Sequence, residues 1–178
     1  MIQSKADLKE YIRADKKANY MERYYLLHLL YGDDGARVFR YLKSLRRLEY
    51  DINTGSIFYH LHRFINRRLG LKYGIFIVPN TVGKGLYIPH TQGVVIINCI
   101  SMGCDCIVSG GCVVGNKDSQ ENRATIGNHV ELTLGSKVIG KVNIEDNAIV
   151  APNSVVIKDV PANAVVSGVP AKIIKIRE

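Results

Sequence analysis

Apolar positions change their period once along the chain. Leu8, Ile12 and the run Tyr20 to Tyr31 recur at helical spacing, and Ser4 with Asp7 three residues on has the form of an N-terminal capping arrangement. Gly32-Asp33-Asp34-Gly35 reads as a break. Val38, Tyr41, Leu42, Leu45 and Leu48 form a second stripe with Arg and Lys between them. Asn53-Thr54-Gly55 reads as another break, and Ile57, Phe58, Leu61, Phe64, Ile65 and Leu69 form a third stripe. Three helical stretches are predicted, each with an apolar stripe suited to core or interface and a basic face.

After Gly74 the period is six. Ile126, Leu132, Val138, Ile144, Val150 and Val156 are all aliphatic, and four residues after each come Val130, Ser136, Val142, Ala148, Ser154 and Val160, all small or β-branched. Met102, Val108 and Val114 keep the phase, with Cys106 and Cys112 at the small position. Val82, Ile88 and Val94 form an earlier group offset by two. A fixed short period marks a solenoid. Each unit supplies a short strand and a turn, and three units close a triangular coil, so residues eighteen apart are expected to stack. One coil cannot bury its own apolar face, so several must pile up. Gly127-Asn128 and Glu145-Asp146-Asn147 provide turn residues.

The polar stretch from Asn116 to Ala124 lacks inward aliphatics and reads as a loop pushed out of a coil, a place where function concentrates. Val160-Pro161 and Gly168-Val169-Pro170-Ala171-Lys172, followed by Ile173 to Arg177, read as a cap. The expected organisation is a helical N-terminal subdomain over 1–74 and a β-helix over 75–178, with extruded loop 116–124 and a C-terminal cap.

A chain of 178 residues with 47% hydrophobic content suits one compact domain with an appended subdomain. No run approaches the roughly 20 apolar residues that span a bilayer, and the N-terminus lacks a signal-peptide core. A cytoplasmic protein without membrane insertion is expected. Residues 1–74 carry 15 Lys/Arg against 8 Asp/Glu and residues 75–178 carry nine against eight, so the +8 net charge lies almost wholly in the helical part. No nucleic-acid motif accompanies it, and the reading is a set of solvated helix faces without a nucleic-acid partner. Cys99, Cys104, Cys106 and Cys112 do not have paired zinc-ligand spacing, so no metal is expected; Cys106 and Cys112 read as small buried thiols.

Residues 83–93, Gly-Lys-Gly-Leu-Tyr-Ile-Pro-His-Thr-Gln-Gly, resemble the Gly-x-Gly-Ile-x-x-Asp-His-Ala-Thr-Gly segment of serine acetyltransferases, a hexapeptide-repeat family of acyltransferases. The ending from Asn153-Ser154-Val155-Val156 to Gly168-Val169-Pro170-Ala171-Lys172 is similar as well. The resemblance covers residues 75–178, with a helical part shorter than in the long serine enzymes. It implies an all-β left-handed parallel β-helix, an exception to the usual right-handed crossover, behind an α-helical subdomain. It further implies acetyl transfer from acetyl-CoA to a hydroxyl acceptor, with both substrates between the subunits of a homotrimer, and the helical part offers contact area for pairing two such trimers.

Within that resemblance His90 is the general base. An alcohol needs its proton removed as it attacks a thioester, and imidazole titrates near neutrality. Gly115 and Asn116 are the candidates for backbone donors to the oxyanion. Coenzyme A is expected along Leu134, Gly135, Ala151 and Pro152, with Lys158 and Lys172 toward its phosphates. Pro89 and Ile75 stand where the serine enzymes have Asp, and Asn122-Arg123 stands where they have Arg-His. Pro89, Asn122 and Arg123 are thus the candidate acceptor-binding residues, and Arg123 could hold an acceptor carboxylate or phosphate. The base is kept without its carboxylate partner, so another group must orient His90.

The implied reaction has L-serine as acceptor, forming O-acetylserine for cysteine synthesis. The alternative is a sugar or polysaccharide hydroxyl, favoured by the short helical part and altered loop. A non-catalytic β-helix scaffold is disfavoured by the kept His beside an extruded loop. A three-histidine zinc site has only His90 and His129 to draw on in this half, and His129 reads as an exposed turn residue. Serine acetyltransferases that dock into cysteine synthase end in Ile, whereas this chain ends Ile176-Arg177-Glu178, which weighs against such docking.

Overall fold

The computed structural model describes residues 1–178. Four helices come first: α1 (Lys5–Ala18), α2 (Tyr25–Tyr31), α3 (Asp34–Thr54) and α4 (Tyr59–Tyr73). The capping box is formed: Asp7 N–H donates to Ser4 Oγ at 3.1 Å, and Ser4 N–H donates to the Asp7 carboxylate at 2.9 Å. The first apolar stretch is divided in two, because Asn19 closes α1 and both Tyr20 and Tyr24 take left-handed backbone angles (φ 58° and 53°). Asp34 and Gly35, expected as part of a break, instead lie in the first turn of α3; Asn53 and Thr54 stay helical, and Gly55 ends that helix. Ile57 and Phe58 precede α4 rather than lying in it.

The strands follow coil by coil. The first coil has β1 (Ile75–Ile77) and the single bridging residues Val82 and Tyr87. The second has β2 (Val95–Ile97), β3 (Ser101–Met102) and β4 (Ile107–Val108); the third has β5 (Val113–Gly115), β6 (Thr125–Ile126) and β7 (Glu131–Leu132). The fourth has β8 (Lys137–Ile139), β9 (Asn143–Ile144) and β10 (Ile149–Val150). The fifth has β11 (Val155–Val156), the bridging residue Val160 and β12 (Ala164–Gly168), after which β13 (Ala171–Ile176) folds back antiparallel on β12. All other pairings are parallel, between coils. They define three faces of a prism: β1-β2-β5-β8-β11 on the first, β3-β6-β9 on the second, and β4-β7-β10-β12 with β13 at its end on the third.

Each aliphatic of the six-residue frame from Ile126 to Val156 is buried, and so is each small residue four positions later. The side chains run in one continuous core with Val38, Tyr41, Leu42 and Leu45 of α3, so the helix and the prism share an interior. Stacking at eighteen holds where Glu131 pairs with Ile149, Thr125 with Asn143 and Lys137 with Val155. The other pairings between coils are more widely or more closely spaced, as where Val113 pairs with Lys137 and Ile149 with Val165. Val94, expected to point inward with Val82 and Ile88, is 47% exposed, and its neighbours Val95 and Ile97 are buried instead.

The helical part is bound to the first coil through buried polar groups. Arg46, fully buried, donates to Asp15 at 2.8 Å, to Glu49 at 3.0 Å, and to the carbonyls of Val82 and Gly83 at 2.8 and 2.6 Å. Asp15 in turn accepts from Gly85 N–H at 2.8 Å, and Asn19 Nδ2 donates to Leu86 O at 2.9 Å. Arg46 therefore departs from the expectation that the basic residues of this half are solvated. Its carboxylate partners outweigh the cost of burial and hold its pKa above the usual value.

Candidate functional site

His90 lies on the edge where the third face turns into the first. Tyr87 pairs with Ile107 and Ile97 with Val114, so this corner takes ten positions where the one stacked beneath takes seven. The three extra residues push Pro89 to Val94 outward, which is why Val94 leaves the core. The His90 ring is exposed.

The lengthened corner is braced by the helices. Before it, Asn19 holds Leu86 and accepts from Ile88 N–H at 3.4 Å, and Tyr20 meets Tyr87 edge-on at 5.6 Å. After it, Asp34 in the first turn of α3 accepts from Thr91 Oγ1 at 3.0 Å and from Gln92 Nε2 at 3.2 Å. Asp34 is thus committed to the corner's flanks. Ile75 is buried in β1 and paired with Val95, so neither residue supplies an orienting carboxylate to the imidazole within one chain. Beneath the corner Gly110 makes the close approach possible. A Cβ there would stand 2.2 Å from Gln92 O and 2.9 Å from His90 O. Sequence reasoning missed Asn19 and Asp34 because a polar residue near a helix end looks alike whether it caps, is solvated or reaches 57 residues along the chain.

The same edge continues downward as a ladder of turns. Gly135 N–H donates to Gly110 O at 3.0 Å, and Asn153 N–H donates to Leu134 O at 2.9 Å. Leu134, Gly135, Ala151 and Pro152 therefore share an edge with His90. Gly135 has φ +70°, and a side chain there would meet Asn153 Oδ1 at 2.3 Å, so the turn needs glycine. The N–H of Ala151 is used too, donating to Val166 O at 2.8 Å. The exposed Leu134 side chain stands out from this edge.

Gly115, Asn116, Asn122 and Arg123 stand on a different edge, where the first face turns into the second. Gly115 pairs with Ile139 and Thr125 with Asn143, so this corner takes ten positions where the next takes four. The surplus is the extruded loop. Asn98 Nδ2 donates to Asn116 Oδ1 at 3.4 Å, and Arg123 donates through Nε to Gln120 O at 2.6 Å and through Nη1 to Asn98 Oδ1 and Cys99 O, both at 3.4 Å. Lys158 follows β11 on this edge, whereas Lys172 is in β13 on the third face, so the two exposed lysines are not brought together. One chain thus carries the predicted base on one edge of its first face and the predicted acceptor residues Asn122 and Arg123 on the other.

The cysteines form no cluster that could hold a metal. Cys99, Cys106 and Cys112 are buried at coil corners, with Cys106 Sγ 3.3 Å from Gly127 O and Cys112 Sγ 3.0 Å from Thr133 O. Burial pushes the Cys99 and Cys106 thiols up to about 11. His129 occupies an exposed turn with φ 53°.

The class these features define is the hexapeptide-repeat, left-handed β-helix with an N-terminal helical part. No family model matches the chain. It is similar to the serine acetyltransferase of Synechococcus elongatus, with 33% identity over 115 residues, covering 63% of this chain and 47% of that protein. It therefore spans about half the length of that curated relative. In structure it is similar to soybean serine acetyltransferase complexed with serine, at a TM-score of 0.78 and 22% identity over 95% of this chain and 70% of that one. It also resembles serine acetyltransferase from Brucella abortus in complex with coenzyme A, at a TM-score of 0.76 and 21% identity over 98% of this chain and 70% of that one.

Proposed function

We propose that the protein is an acetyl-CoA-dependent O-acetyltransferase acting as a homotrimer. The observation that carries this is the His90 corner: a lengthened, braced and exposed histidine standing over a ladder of turns on a prism similar to enzymes solved with serine and with coenzyme A. His90 takes the proton of the acceptor hydroxyl as its oxygen bonds to the thioester carbonyl carbon. The carbon–sulfur bond then breaks, and the proton passes to the departing thiolate. Coenzyme A lies along Leu134, Gly135, Ala151 and Pro152, with Lys158 or Lys172 near its phosphates. Gly115 and Asn116 stabilise the oxyanion.

The trimer follows from the split site. The outer row of the first face runs Phe76, Ile96, Val113, Lys137 and Val155, apolar but for the exposed Lys137, with Ile157 exposed beyond it. Three such faces turned toward a common axis bring the His90 edge of each copy against the loop edge of the next. His90 of one copy then meets Asn122 and Arg123 of its neighbour. Exposed Leu26, Leu30 and Tyr31 of α2 and Leu61 and Phe64 of α4 offer area for pairing trimers. No helix is long and apolar enough to cross a membrane. The four free thiols suit a reducing cytoplasm.

L-serine is the acceptor the similarity favours, for O-acetylserine formation in cysteine synthesis. A sugar or polysaccharide hydroxyl is favoured by Ile75 and Pro89, which offer no carboxylate to an amino acid's ammonium group. Release of coenzyme A measured with L-serine and with sugars separates them. Serine-dependent release establishes the first reading, and sugar-dependent release without a serine response establishes the second.

A further inference from the structure

A pocket of about 510 Å³ lies between α4, the outer side of β1 and β2, and the extruded loop. Phe76, Val78 and Ile96 make its apolar floor, and Arg63, Arg67 and Arg123 stand around it. No acidic residue lines it. The arginine ion pairs of the chain belong to Arg37 and Arg46; none of the three pocket arginines has a carboxylate partner. Each is nonetheless directed by neutral neighbours. Arg63 donates to Tyr59 Oη at 3.1 Å, Arg67 lies 5.9 Å from the Phe76 ring centre, and Arg123 is held by Gln120 and Asn98. Three guanidinium groups without a carboxylate partner thus line one cavity, where a bound anion would offset their charge.

We infer that this pocket binds a phosphoryl group of the acceptor, so the hydroxyl acetylated belongs to a phosphorylated molecule. A single carboxylate brings one negative charge against three cations. A phosphate monoester or diphosphate brings about two, with oxygens that suit paired guanidinium donors. The ligand is the acceptor rather than coenzyme A because of level along the prism. The pocket is at the first and second coils, whereas Leu134, Gly135, Ala151 and Pro152 are at the third, fourth and fifth. It adjoins the loop edge at the level of His90, so in the trimer it opens toward the neighbouring copy's base. The inference rests on the acetyltransferase reading and selects the second acceptor class within it.

Calorimetric titration of inorganic pyrophosphate into the full chain saturated with coenzyme A tests it, comparing wild type with the Arg63→Gln/Arg67→Gln variant. Both arginines are solvent-exposed, so a thermal melt within a few degrees of wild type is expected, and Arg63→Lys/Arg67→Lys serves as a charge-retaining control. Pyrophosphate is expected to bind wild type, about tenfold or more weakly to the Gln variant, and to an intermediate degree to the Lys variant, with coenzyme A affinity unchanged. Absence of pyrophosphate binding to wild type, or equal binding to the Gln variant, overturns the inference. Failure of coenzyme A itself to bind counts against the acetyltransferase reading instead, and the pyrophosphate titration without it still reads the pocket.

Discussion

Single residues carry both the chemistry and the weak points of this molecule. Gly110 is the residue on which the His90 corner rests, and Gly110→Ala puts a methyl group into the carbonyls of Gln92 and His90. We expect that variant to lose turnover while keeping coenzyme A affinity, measured as kcat against binding in the same preparation. Arg46 is the other critical residue. Asp15→Ala leaves its buried charge half-paired and should cost about 3–5 kcal/mol in urea unfolding. The thiols give a pH signature. Cys99 and Cys106 have folded values of about 11 against an ordinary 9.0, so the neutral thiol is the form the fold favours. Their contribution to stability is present below pH 9 and is lost as pH rises toward 11, so alkaline unfolding should set in across that window. At pH 8 a thiol reagent should modify half-buried Cys104 first and the other three only on unfolding; rapid reaction of all four in the native protein would contradict this.

Elements were legible from sequence to the degree that their periods were regular. The six-residue frame from Ile126 to Val156 predicts burial residue by residue, because every coil there has the same length. The frame misleads at Val94, since the corner that carries His90 holds three extra residues and no local feature of Val94 marks the shift. In the helical half the period places the stripes, but α1 and α2 read as one because Asn19 to Tyr24 contains neither Gly nor Pro. What broke the helix there is Asn19 turning its side chain to Leu86, a contact made 67 residues away. His90 and the extruded loop were legible through the resemblance and the gap in the frame. The braces Asn19 and Asp34 were not, because their partners are set by tertiary packing alone. The arginine pocket was legible only as one of its parts, Arg123; Arg63 and Arg67 looked like an ordinary solvated helix face.

For the whole molecule, the account depends on assembly. His90, the proposed base, and the loop residues Asn122 and Arg123 stand on opposite edges of one face, so under the proposed mechanism a single chain presents two half-sites. Light scattering should give a trimer or a pair of trimers. Val113→Arg, which adds a second positive charge beside Lys137 in the outer row, should give monomers that fold but do not turn over. A fully active monomer would exclude the split site.

The central claim is that His90 removes the acceptor's proton during acetyl transfer. Its most direct test is acceptor-dependent release of coenzyme A from acetyl-CoA by wild type and by His90→Ala, with acetyl-CoA binding measured on both. The prediction is a fall in kcat of about a hundredfold to ten-thousandfold in the variant with binding preserved. Equal turnover by the two proteins would contradict it.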